Sequence, residues 1–236
     1  KYYYSSDGDT WAQTDLTDGY ANKFLTAYNA AGTAVTLWKT KLPNEFASTT
    51  DGRTVAAGGV QWTSPAYIGD TSSDITNPFL VNDNLMLGRE DNLYNYDTAG
   101  GTHPLMDDLK KAVTSRNFQY VVNWQTAAYF SRGNSLGELT SFNTFDAIGP
   151  LEHTIDLGKV GFITGLASDT NYIYVVINEG TNIHIYKGRE TRTAKGLQWQ
   201  WCPWVFLGTT ACTTTSFCQH SATDRRLWFG YGTNTG

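Results

Sequence analysis

Cysteine is scarce in this chain: Cys202, Cys212 and Cys218 are the three present in 236 residues. A sparse, odd set excludes a dense disulfide framework. Cys212 and Cys218 are spaced to bridge a short loop, but reduced cysteines buried in strands are the simpler expectation. Zinc is not expected, because no CxxC occurs and only His220 lies near the cysteines in sequence. Charge is also low, at 17% Asp, Glu, Lys and Arg with a net charge of −5. Acids and bases are interspersed, and no Lys/Arg run exists to follow a phosphate backbone, which argues against nucleic-acid binding. No apolar run approaches membrane-spanning length. No leader is visible before Lys1, and no Asn-x-Ser/Thr acceptor occurs, so nothing suggests eukaryotic secretion. A processed product, an engineered piece or a segment of a longer protein is expected.

Catalytic signatures are missing too. There is no GxSxG, P-loop or GxGxxG; Gly58-Gly59 and Gly100-Gly101 read as turns. His103, His153, His184 and His220 are scattered, with no HExxH or His/Cys/Asp cluster, so no metal and no cofactor is expected.

What the chain does have is aromatics, at 14%, within a hydrophobic fraction of 40%. Thr, Asn and Gly are plentiful. That mix favours strands and tight turns over helices, and suits extracellular or virion β-proteins that present aromatic and amide groups. The length allows one large all-β domain or two small ones.

A loose β-rich unit recurs. One copy runs from Phe79-Leu80-Val81 through Leu85-Met86-Leu87 to Leu93-Tyr94-Asn95-Tyr96-Asp97. Another runs from Phe162-Ile163-Thr164 through Tyr172-Ile173-Tyr174-Val175-Val176 to Ile183-His184-Ile185-Tyr186. Each reads apolar strand, polar turn, apolar strand, Gly/Asn turn, aromatic strand. Repetition at this length predicts a β array, most often a propeller. About five units are expected within a single domain over residues 1–236, each a four-stranded antiparallel sheet. The last unit keeps only two strands, near Thr213–Gln219 and Arg226–Tyr231. The first residues, Lys1–Leu16, look like an outer pair, so the two ends are expected to share one blade and close the ring. An open piece of a larger array is the alternative. Pro104–Val113 breaks the rhythm with apolar residues at 105, 109 and 113, and predicts a short amphipathic helix covering a sheet edge.

Several sites deserve weighing. Ser5-Ser6-Asp7-Gly8-Asp9-Thr10-Trp11 resembles the Asp-box hairpin of sialidases and related propellers, one residue shorter. There Asp fixes the turn and Trp packs between strands, which is a structural role. Sialidase chemistry also needs an arginine triad, and the arginines here lie in no recognisable motif of that family. A five-bladed glycosidase needs converging carboxylates. Asp83, Glu90, Asp91, Glu138, Asp146, Asp169 and Glu179 fall near strand ends, but most read as hairpin corners. Trp199, Trp201 and Trp204 are the densest aromatic cluster and the candidate ligand-binding residues. Trp199 and Trp201 alternate on one strand face, where a sugar ring could stack, although inter-blade packing is the commoner use. The same caution covers Tyr2, Tyr3 and Tyr4. Asp224-Arg225-Arg226 reads as a solvated corner.

The stretch from Asp146-Ala147-Ile148-Gly149-Pro150 to Gly236 is similar to propeller proteins of tailed bacteriophages and environmental phage sequences. The likeness is carried by the Ile-Gly-Pro turn, by Lys159-Val160-Gly161-Phe162-Ile163-Thr164-Gly165-Leu166-Ala167-Ser168, by Tyr172-Ile173-Tyr174-Val175, and by the ending Arg225-Arg226-Leu227-Trp228-Phe229-Gly230. The resemblance implies a non-enzymatic structural or adhesion role on a virus particle, at a tail, fibre or capsid surface, and so a virion or extracellular location. Its implied partners are other virion proteins or a host-surface glycan, met by many symmetric copies, with no membrane insertion. A free carbohydrate-binding lectin and a five-bladed glycoside hydrolase are the alternatives.

Overall fold

In the computed structural model the described residues are 3–13, 21–28, 35–50, 62–63, 66–82, 84–97, 101–104, 114–132, 135–141, 144–147, 162–178, 182–206, 214–219 and 227–232. Strand is the only regular structure among them, so the all-β expectation holds. The strands fall into sheets strictly in chain order. Four of the sheets among the described residues are antiparallel meanders of four: β3 (Lys23–Tyr28), β4 (Val35–Lys41), β5 (Glu45–Thr49) and β6 (Ala66–Tyr67); then β7 (Ile75–Val81), β8 (Asn84–Arg89), β9 (Leu93–Asp97) and β10 (Gly101–Pro104). The third holds β11 (Val121–Trp124), β12 (Ala127–Arg132), β13 (Ser135–Ser141) and β14 (Thr144–Ala147), and the fourth β15 (Phe162–Ser168), β16 (Ile173–Asn178), β17 (Ile183–Thr193) and β18 (Gly196–Phe206). Two-stranded hairpins flank them: β1 (Tyr3–Tyr4) with β2 (Ala12–Gln13), and β19 (Thr214–Gln219) with β20 (Leu227–Gly232).

The core explains this order. The second strand of each later sheet is apolar on both faces, and period-two alternation sends its residues to opposite neighbours. In β8, Leu85 and Leu87 join Phe46, Ile68 and Ile75 between the first and second sheets, whereas Met86 joins Phe79, Phe118 and Phe130 between the second and third. In β12, Ala128 and Phe130 face the second sheet, and Ala127 and Tyr129 face the fourth. In β16, Ile173, Val175 and Ile177 face the third sheet, and Val176 faces the terminal hairpin, where Phe229 packs. The second, third and fourth sheets are thus each filled from both sides by their sequence neighbours. The first strands also adjoin one another in series: β3 by β7, β7 by β11, β11 by β15 and β15 by β19.

Some expectations need correction. Pro104 was expected to open a helix, but it closes β10 opposite Tyr94, because the polar run Gly101–Pro104 finds its hydrogen bonds on β9. The remainder of that segment lies outside the described residues. Asp146, expected near a strand end or turn, is the last but one residue of β14, opposite Glu138. The terminal hairpins form separate sheets, and no ladder between them is among the described pairs. Cys202 sits in a strand as expected, but it is exposed rather than buried, with a free thiol. Cys212 lies outside the described residues, and Cys218 stands opposite Trp228 in β19.

A buried arginine ties the second sheet to the loop before it. Arg89 is fully buried. Its Nη1 donates to the Ile68 carbonyl at 2.7 Å, and its Nη2 to the Asp70 and Ser73 carbonyls at 3.1 and 3.0 Å. Asp91 Oδ1 lies 3.2 Å from Nε as an ion pair outside hydrogen-bond alignment. Only glycine fits beside this guanidinium: Gly69 has φ 58°, and a Cβ there would sit 1.5 Å from Nη1.

Candidate functional site

The tryptophan cluster of β18 divides between the two faces of the fourth sheet. Trp199 stands opposite Glu190, and Trp201 opposite Gly188. Both share the side of Tyr186, Val175 and Ile173, facing the third sheet. Trp199 lies 6.0 Å from Trp124 and 5.6 Å, edge-on, from Tyr129, and stacks on Trp201 at 5.4 Å. Gly188 makes room for this stack, since a Cβ there would meet the Trp201 ring at 2.4 Å. Trp199 and Trp201 are therefore a wedge between sheets. Tyr129 beneath them is buried, and its hydroxyl donates to Glu138 at 2.5 Å. Burial, together with that carboxylate and Glu190, pushes the phenol above its ordinary range.

Trp204 behaves differently. A bulge in β18 falls where Ile185 pairs with Val205 and Tyr186 pairs with Pro203, leaving Trp204 as the extra residue. Bulges re-aim side chains, and this one lays Trp204 against Tyr174, ring centroids 4.9 Å apart, on the opposite face from Trp199. Trp204 remains 45% exposed. Beside it, Lys187 Nζ lies 5.2 Å and the Arg189 guanidinium 5.4 Å from the Tyr172 ring centre. Sequence reasoning found Trp204 but missed these cations; the alternation Lys187-x-Arg189 on a strand that follows two tyrosines was the available signal. On the same face, Val176 and Ile185 pack with Val205 and Phe229, and along it Tyr174 is buried, Lys187 half-buried and Arg189 exposed.

A concavity lies between the β7–β8 and β11–β12 turns, with a volume of about 320 Å³. Asn82, Asn123, Gln125 and Thr126 line its polar side. Asn82 and Gln125 take left-handed backbone at φ 47° and 54°, which tight two-residue corners require. Asn82 Nδ2 donates to the Thr140 carbonyl at 3.4 Å.

The carboxylates expected at corners are engaged locally. Asp169 Oδ1 accepts from the Asn171 and Tyr172 amides at 2.7 and 2.8 Å, and Oδ2 accepts from the Tyr174 hydroxyl at 2.8 Å. Burial and that contact raise the Tyr174 phenol. Glu90 accepts from the Asp74 amide, Asp91 pairs with Arg89, and Glu138 holds Tyr129. Asp83, Glu179, His153, His220 and Asp224-Arg225-Arg226 lie outside the described residues; His103 and Asp146 are placed only as strand positions in β10 and β14. Among the described residues, no group of three His, Cys, Asp or Glu could hold a metal ion.

The N-terminal hairpin closes as the Asp-box likeness implies. Asp7 Oδ1 accepts from the Asp9 and Thr10 amides at 2.9 and 2.8 Å, and from the Ser5 hydroxyl at 2.9 Å. The Thr10 and Asp9 amides, followed by the Ser5 hydroxyl, hold the carboxyl down to about 2. Trp11, expected to pack between strands, is instead 62% exposed and donates from Nε1 to the Gly8 carbonyl at 3.2 Å.

No protein-family model and no curated protein matches the chain. Its structure is similar to the extracellular domain of what is described as a one-component system from B. thetaiotaomicron, with a TM-score of 0.55 and 12% identity. That match covers 95% of this chain and 28% of the neighbour's length. At that identity the likeness concerns the fold alone. No helix among the described residues is long and apolar enough to cross a membrane, which says nothing of a β-barrel.

Proposed function

We propose that the chain is a propeller of about five blades that works without catalysis, as a structural or adhesion module at the surface of a virus particle. The observation that supports this reading is the serial two-faced core, with the first strands of consecutive sheets side by side. A sheet filled on both faces by its sequence neighbours is rigid, and its turns become fixed points on a surface. The amide-lined concavity between two such turns offers uncharged donors and acceptors, the groups that recognise sugar hydroxyls or a neighbouring subunit's backbone. The sequence likeness to phage propellers supplies the setting, in which many copies raise a weak contact to useful avidity. The structural neighbour, an extracellular domain, agrees with display outside a cell.

The test is gel retardation of the purified chain by immobilised neutral and anionic polysaccharides, with a reducing-end assay on the same mixtures. Retardation without new reducing ends supports adhesion. New reducing ends would replace this reading with the glycosidase. No retardation by any polysaccharide, together with a monomer at the highest soluble concentration in sedimentation, would overturn it.

A further inference from the structure

The face of the fourth sheet opposite Trp199 carries two cations with no ion pair among the described residues. Lys187 and Arg189 are two residues apart in β17, so both side chains leave the same face. Both lie over the ring of Tyr172, at 5.2 and 5.4 Å. Neither has a carboxylate partner among the described residues. The nearby acid, Asp169, is occupied by two backbone amides and the Tyr174 hydroxyl. In a chain of net charge −5, two unneutralised cations sharing one aromatic ring are a local reversal of sign. Next to them the bulge turns Trp204 outward over Tyr174, leaving it 45% exposed.

We propose that Tyr172, Tyr174, Lys187, Arg189 and Trp204 form a binding shelf for an anionic saccharide, a sugar ring bearing carboxylate or sulfate. The Trp204 face takes the apolar C–H face of the ring, as aromatic rings take apolar surface with defined geometry. Lys187 and Arg189 take the anion, and their contact with Tyr172 holds their side chains in place before the ligand arrives. A bare inorganic anion leaves Trp204 without a use. A nucleic acid needs a longer line of cations than two residues supply. The shelf rests on the adhesion reading and gives it a ligand class.

The experiment is affinity electrophoresis of the full chain at physiological salt through gels carrying polygalacturonate, dextran sulfate or neutral dextran. The first two separate carboxylate from sulfate. The chain is expected to be retarded by at least one anionic polymer and to pass neutral dextran freely on this face. Lys187→Gln with Arg189→Gln should weaken the apparent affinity about ten-fold, the equivalent of ~1.4 kcal/mol, and Trp204→Ala should also weaken it. Arg192→Gln with Lys195→Gln removes the same charge from the tip of the same hairpin, and Arg192 lies on the opposite face; this pair should stay within two-fold of the parent. Equal loss in the two charge pairs would reduce the effect to general attraction and overturn the shelf. Retention by neutral dextran alone would overturn the shelf while leaving adhesion standing. Retention by none of the three would overturn the shelf, and only with a monomer in sedimentation as well would it overturn adhesion. The charge pairs sit on side chains outside the core, and a matching far-UV spectrum and melting temperature confirm that each variant is folded.

Discussion

Replacing Trp199 or Trp204 with alanine separates the two faces of the fourth sheet. Trp199 is wedged against Trp124, Tyr129 and Trp201. Removing roughly 150–200 Å² of aromatic burial at ~25 cal/mol per Å² costs about 4–5 kcal/mol as an upper bound. Allowing for collapse of neighbours into the space, about 3 kcal/mol is expected. Trp204 is 45% exposed, with Tyr174 as its ring partner. Its truncation removes about half that burial and, relaxed in the same way, should cost about 1.5 kcal/mol. For a chain of this size each kcal/mol moves the midpoint by about 2–4 °C. Trp199→Ala should therefore melt roughly 6–12 °C below the parent, and Trp204→Ala roughly 3–6 °C below it. Circular dichroism at 218 nm is the assay, since fluorescence would change with the tryptophan itself. Equal losses, or a smaller loss at Trp199, would refute the division into a wedge and a shelf.

Other outcomes follow from the same contacts. Arg89→Met removes the donor to three carbonyls and strands Asp91, so a loss of about 3–5 kcal/mol is expected; a melting temperature within 2 °C of the parent would contradict it (~2 °C is under 1 kcal/mol here). Tyr129 and Tyr174 have phenols raised above 10.0. The fold favours their neutral form, so their contribution is complete below the ordinary phenol pKa and is lost as pH rises beyond it. Absorbance at 295 nm should show these two rings ionising only as the chain unfolds in alkali, and their early titration in folded protein would contradict the burial. Asp7, held near 2, supports its hairpin above the ordinary carboxyl range and loses that role as pH falls through about 2. A carbon-detected titration should place its midpoint there, and Ser5→Ala should move it upward.

Much of the strand order was legible because the informative strands carry strong patterns. Leu85–Leu87, Ala127–Phe130 and Ile173–Ile177 are continuous apolar runs bounded by Asn, Asp and Gly corners, as strands buried on both faces should be. The fourth strands were harder. Gly101–Pro104 and Thr144–Ala147 are polar and short, and they become strands because a neighbour offers a free edge. The extension of β17 past Lys187 was missed for the same reason: Arg189–Thr193 has no apolar face, and its pairing with Gly196–Gln200 sets its shape. At the candidate site the tryptophans were visible, but their division was not. It depends on a bulge at Trp204 and on the space above Gly188, both fixed by register rather than by residue type. Arg89 gave no warning either, since a buried guanidinium is specified by carbonyls some twenty residues away.

The most direct measurement is a crystal structure of the chain with the strands traced independently. The account predicts β3, β7, β11, β15 and β19 as successive neighbours around one axis, each sheet filled on both faces by the sheets before and after it. Two extended sheets packed face to face around a single core, with β12 and β16 exposed on one side, would contradict it.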